Sequence, residues 1–237
     1  GVRINFTLEF SARQNALVTM IAKPDYLNVF LGRVGAFIAD NGLGDGSGAG
    51  ENAVLSSQNW VTNLSKDNKW RTRLIAASLR NYTQLELLAG TDVYTIPPKV
   101  AAAGRKSLSG KFTNMLGNFY DVPLTDKAKN LGIEKFWEVS QSVVDFGKSI
   151  DSNVPATGDE FVKRAHAAGL GEMFPLLNEE EKKRISDEGK IPVLSSWIDM
   201  INKGKIAPDT LLTLAGLASF TADQKQLDER VKGIINN

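Results

Sequence analysis

The stretch at residues 73–100, RLIAASLRNYTQLELLAGTDVYTIPPKV, constrains the fold more than any other part of the chain. It opens on an apolar run at 74–77, too short for an ordinary helix, and closes on a β-rich run at 92–96. Both runs read as buried strands. Between them, residues 83–89 have helical composition, with Leu85, Leu87 and Leu88 apolar, Thr83 in the N-cap position and Gly90 where a left-handed C-terminal residue belongs. Neighbouring parallel strands need such a crossover. It leaves polar residues just past the first strand's carboxyl end, in the crevice where ligands of α/β folds bind. Ser78 and Arg80 occupy that position.

The residues before this unit repeat its logic. Residues 2–10 alternate, with Ile4, Phe6, Leu8 and Phe10 on one face and Asn5, Thr7 and Glu9 on the other, which predicts a strand with a polar second face. Ser11 can cap a helix through Leu17, Val18 and Ile21 that stops near Pro24. Residues 26–31 read as a second strand that delivers Gly32 and Arg33. The glycine-rich stretch 41–50, NGLGDGSGAG, lacks the spacing of a phosphate-cradling motif and reads as a flexible loop or lid. A helix over 51–66 then leads into the strand at residue 74, giving four strands with helical crossovers through residue 100.

Beyond Pro97 and Pro98 the pattern predicts only helices, over 107–119, 125–150, 158–168, 178–187, 194–202, 208–220 and 222–235. The acidic run at 179–181 suits the first turn of a helix, and Phe136, Trp137, Trp197, Ile198 and Ile201 read as core. His166 falls mid-helix between alanines and reads as a surface or packed residue.

Composition narrows the chemistry. The absence of cysteine rules out disulfides, zinc–thiolate sites and thiol nucleophiles, and fits a reducing compartment. A single histidine leaves no histidine-rich metal site. A net charge of +1 with mixed signs gives no electrostatic footprint for nucleic acid or an anionic membrane, and no apolar run approaches the ~20 residues of a membrane span. With 42% hydrophobic residues in 237, there is enough apolar material for one large or two modest cores. The chain enters strand sequence at once, without a methionine, which raises the expectation that a segment precedes Gly1.

Three pieces together resemble the transaldolase family. N-F-T-L-E-F-S, beginning at Asn5, is similar to that family's N-x-T-L-x-F-S strand, and N-V-F-L-G-R, ending at Arg33, is similar to S-P-F-V-G-R. A-A-S-L-R-N, followed by L-A-G-T-D-V-Y-T-I-P-P, resembles the A-S-x-R segment and the strand beyond it. The resemblance implies an α/β fold of the TIM (β/α)8 type. This chain would supply strands five to eight within 1–110, and 111–237 would be a helical extension packed on the barrel. It further implies a cytoplasmic transferase of the pentose phosphate pathway that moves a dihydroxyacetone unit between sugar phosphates by Schiff-base chemistry, without cofactor or metal. Thr7 would hold the catalytic water and Asn5 would donate to a substrate hydroxyl. Arg33 and Arg80 would bind the phosphate with Ser78 and Asn28 beside them, and Phe30 would line the pocket.

The Schiff-base lysine and the acid–base carboxylates of the family have no counterpart here. The expectation is therefore that a missing amino-terminal barrel half, in the same polypeptide or as a second chain, supplies them, and that this chain alone is inactive. Lys99 is the least unsuitable lysine present. The alternative reading is a non-catalytic sugar-phosphate binding module that lacks the lysine.

Overall fold

The computed structural model describes residues 2–66 and 71–235. Its first part runs β1 (Asn5–Glu9), α1 (Ala12–Ile21), β2 (Tyr26–Phe30), α2 (Leu31–Asp40), α3 (Ala49–Ser65), β3 (Arg73–Ala77), α4 (Thr83–Leu87) and β4 (Val93–Tyr94). The strands form one sheet in sequential order, each pairing parallel with the next. This is the α/β arrangement expected of part of a β/α barrel. One sheet face carries Leu27, Val29, Leu74 and Ala76, all fully buried in a cluster with Val34 and Phe37 of α2 and Val54 and Val61 of α3. Each larger side chain so buried stabilises the fold by about 1.5–3 kcal/mol. On the opposite face Tyr26, Phe30, Ile75 and Val93 stay half-buried, while Asn28 and Ala77 are buried, so that face is less completely covered.

The second part is helical: α5 (Pro98–Ser107), α6 (Asp126–Asn130), α7 (Gln141–Ser152), α8 (Gly158–Ala167), α9 (Glu179–Glu188), α10 (Ile198–Asn202) and α11 (Pro208–Ile235), with short 3-10 turns between some of them. Capping chemistry fixes several starts. Ser11 and Gln14 form a reciprocal capping box on α1, and Asn178 and Glu181 form another on α9, whose acidic first turn meets the positive helix end. Phe136, Trp137 and Trp197 are core residues, and His166 is exposed, its Nε2 2.8 Å from the Phe174 carbonyl oxygen.

Several local expectations are corrected. The helix expected over 107–119 instead occupies Pro98–Ser107, because Pro98 takes the first helical position, where its missing N–H costs nothing. The segment after it is strapped across α3 and α4: the Met115 amide donates to the Ala89 carbonyl, the Tyr120 amide to Asn52 Oδ1, and the Tyr120 hydroxyl to the Leu87 carbonyl. The helix expected over 125–150 is broken, since Ile133 and Phe136 serve the main core while Val143, Phe146 and Ile150 serve a second cluster with Leu17 and Met20. Conversely, 208–235 is one helix: the Thr221 hydroxyl bonds back to the Leu217 carbonyl instead of capping a new start.

At α4 the N-cap residue is Tyr82, and it is Asn81 Oδ1, not the Thr83 side chain, that accepts from the Gln84 amide. β4 is two residues long because Asp92 turns its carboxylate to Gln58, Arg71 and the Leu74 amide rather than extending the ladder. The glycine-rich stretch is not a free lid. Leu43 is fully buried, Gly44 bridges to Leu124, and the residues ahead of it form α2, a helix absent from the expected order of elements.

In β1 the alternation fails at Leu8, which holds φ +73°. Two residues there face one on β2, as in a bulge, so Ile4 and Phe6 remain exposed while Leu8 and Glu9 are both buried.

A buried ionic knot ties α1 to α11. Arg13 Nη2 donates to Asp209 Oδ1 (2.6 Å) and Nε to Oδ2 (2.8 Å), while Ser11 Oγ also donates to Oδ2 (2.6 Å). Arg13 Nη1 donates to Glu172 (2.7 Å), which Lys135 also reaches.

Candidate functional site

Parallel strands release their side chains toward a ligand at their carboxyl ends, and two arginines leave the sheet there. β2 passes directly into α2, with Arg33 in the first turn; β3 ends at Ala77, and Ser78 then takes φ +66° before Arg80. A left-handed serine costs of order 1 kcal/mol and is the kind of strain found where a loop is fixed for a task. The loop is held by Gln84, whose Oε1 accepts from the Arg80 amide (2.7 Å) and whose Nε2 donates to Glu51 (2.8 Å). Gly32 brings the two strand ends together. A Cβ at that position would lie 2.2 Å from the Ser78 carbonyl oxygen and 2.4 Å from Arg80 Nε, so only glycine admits the Arg80 side chain there.

Neither Arg33 nor Arg80 forms an ion pair with a carboxylate among the described residues. Arg33 Nη1 is buried and has no hydrogen-bond partner among the described residues. Burial, and then the neighbouring Arg80 charge, pull the Arg33 pKa down, while Asp223 acts in the opposite sense. Two guanidinium groups near one another, with an unused buried donor, have the chemistry to receive an anion.

The open sheet face supplies the remaining residues. Asn28, 6% exposed, donates from Nδ2 to Asn5 Oδ1 (2.7 Å) and to the Phe6 carbonyl (3.2 Å). Among the described residues that leaves Asn5 with a free donor and Asn28 with a free acceptor, a pairing suited to hydroxyls. Thr7 is exposed and lines a cleft of about 570 Å³ with Leu217, Phe220 and Gln224 of α11. Arg80 lines a different cleft, of about 680 Å³, with Gly32, Glu51 and Tyr120. Arg33 lies beside the α11 cleft: its Cζ is 5.6 Å from the ring of Phe220, which lines that cleft, and 5.3 Å from that of Phe30. Thus Asn5 and Asn28 are joined, Arg33 and Arg80 are neighbours, and Thr7 stays apart from Arg80. No group of three or more metal-ligating side chains is found among the described residues, and no helix there is long and apolar enough to cross a membrane.

The family model for transaldolase/fructose-6-phosphate aldolase matches residues 1–145, more than half of the chain. The chain belongs to the transaldolase/fructose-6-phosphate aldolase family. A transaldolase of Prochlorococcus marinus is 30% identical over 128 residues, covering 54% of this chain and 37% of that protein. One of Marinobacter nauticus is 34% identical over 98 residues, covering 41% of this chain and 30% of its own length. The chain therefore spans about a third of the length of the transaldolases it matches. The matched region holds Asn5, Thr7, Asn28, Phe30, Arg33, Ser78 and Arg80, but not α11.

Two features escaped sequence reasoning. Glu9 is 4% exposed, its Oε2 has no partner among the described residues, and burial pushes its carboxyl up to about 8, with the amides of Glu9 and Asn28 only partly offsetting that. The visible signal was a lone acid in an apolar strand. Phe220 and Asp223 reach Arg33 from the far end of the chain, and nothing local announces that contact.

Proposed function

We propose that this face is part of the active centre of a transaldolase-like transferase, which moves a dihydroxyacetone unit between sugar phosphates by Schiff-base chemistry in the cytoplasmic pentose phosphate pathway. The observation that carries the reading is the Arg33–Arg80 pair at the ends of β2 and β3, in no ion pair with a carboxylate among the described residues and with an unpartnered buried donor. A phosphate dianion fits two guanidinium forks better than it fits ammonium groups. Ser78 adds a hydroxyl beside them. The Asn5–Asn28 pair meets the sugar hydroxyls, Phe30 bounds the pocket, and Thr7 holds the water that acts on the imine.

In this reading residues 1–110 form half of an eight-stranded barrel, and 111–237 are an extension packed on it. Four strands do not close such a barrel, so other strands complete it. The imine-forming lysine comes from outside this range. None of the four strands carries a lysine, and every described lysine is at least partly exposed, not enclosed in a desolvated pocket of the kind that activates an amine nucleophile. The same observation favours a second reading, a sugar-phosphate binding module without catalysis.

Borohydride reduction in the presence of fructose 6-phosphate separates the two. Residues 1–237 alone should trap no sugar, and a polypeptide that completes the barrel should be trapped at a lysine outside them. No trapping in the completed protein supports the binding module. An adduct on Lys99, or on any lysine of this chain, contradicts both readings.

A further inference from the structure

The long helix α11 lies outside the family match, yet one of its faces is built against Arg33. Phe220 stands edge-on to Phe30, with ring centroids 6.5 Å apart at 83°, and the guanidinium sits in the corner the two rings make. Phe30 is backed by the fully buried Phe10 at 5.9 Å and is a fixed wall. Phe220 is 39% exposed and is the wall that α11 adds. One turn earlier, a Cβ at Gly216 would lie 2.9 Å from Leu8 Cδ2 and 3.4 Å from Arg33 Nη1, so the absence of a side chain is what lets the helix come this close. Residues 216, 220 and 223 share a helix face, and the Asp223 carboxylate favours the charged guanidinium.

We propose that α11 is a positioning element for Arg33: Phe220 closes a corner around the guanidinium over the Gly216 gap and fixes the direction of its phosphate-binding edge. Arginine gives up substantial rotamer freedom when it binds an anion, and a side chain already held in place gives up less. The corner also leaves Nη1 buried without a partner among the described residues, a donor kept for an incoming oxygen. The helical region would thus set phosphate affinity through a residue that touches no substrate. The inference rests on the reading of Arg33 and Arg80 as the phosphate pair.

Calorimetric titration of residues 1–237 with fructose 6-phosphate tests it. Phe220→Ala should weaken binding roughly threefold to fivefold, the scale of one lost cation–π contact. Phe220→Trp should restore it, and Phe220→Leu, which keeps the apolar packing, should not. In an Arg33→Ala background Phe220→Ala should have no further effect. Wild-type affinity in Phe220→Ala, with binding still weakened by Arg80→Ala, overturns the positioning role and leaves the phosphate pair intact. Wild-type affinity in both Arg33→Ala and Arg80→Ala overturns the pair itself. Equal weakening by Phe220→Ala with and without Arg33, or rescue by leucine, assigns Phe220 a packing role and also overturns the proposal.

Discussion

Asp209→Ala is expected to destabilise the fold by about 3–5 kcal/mol, because it leaves the Arg13 charge buried without its main partner. Arg13 is 5% exposed and Asp209 is fully buried, so water cannot replace the lost carboxylate. Glu172 retains one contact to Nη1, but it is shared with Lys135. A loss of this size is a large share of the ~5–15 kcal/mol that holds a domain together. The effect should appear as a lower midpoint in urea. Replacing both partners by apolar residues, Arg13→Met with Asp209→Leu, should recover most of it, since no lone charge then remains. A double variant no more stable than Asp209→Ala would contradict that explanation. The sign with pH follows from the direction of the shift. Burial alone would raise the Asp209 carboxyl, but Arg13 outweighs it and holds the group below its ordinary value of 3.8. The stabilisation is therefore complete above that value and is lost as pH falls through the lower, folded-state pKa.

Glu9→Gln should act in the opposite direction. The carboxyl is raised from 4.5 to about 8 by burial, so the folded state favours the protonated form. Its contribution is fully present below pH 4.5 and is lost as pH rises through 8, a fall of roughly 4–5 kcal/mol across that window. Glutamine keeps the shape without the ionisation. Urea midpoints measured from pH 5 to pH 9 should therefore fall for the wild type and stay level for Glu9→Gln, which becomes the more stable protein at the alkaline end. Parallel profiles would show that Glu9 ionises freely in the fold.

Much of the architecture was legible because its signals are local. The apolar runs of β2 and β3 are too short for helices, Ser11 is a capping residue ahead of α1, and the arginines sit just past strand ends. α5 was equally legible, with proline at its first position and Arg105 and Lys106 in its last turn, but its start was assigned to the residues beyond it. Other features depend on tertiary contacts that no window contains. The face that Glu9 occupies depends on Leu8 adopting a left-handed conformation that leucine disfavours, imposed by the pairing with β2. β4 is short because Asp92 is held by Gln58 and Arg71. The corner around Arg33 needs Phe30 from a strand and Phe220 from the last helix, which only the folded chain brings together.

The sugar-phosphate site is tested most directly by calorimetric titration of residues 1–237 with fructose 6-phosphate, alongside Arg33→Ala, Arg80→Ala and unphosphorylated fructose. Loss of one charge-assisted bidentate contact should cost about 1.5–3 kcal/mol, a weakening of roughly tenfold to a hundredfold or more. Fructose should bind no better than the variants bind the phosphate. Undiminished affinity in both arginine variants, or equal binding of fructose and its 6-phosphate, would contradict a phosphate site between the ends of β2 and β3.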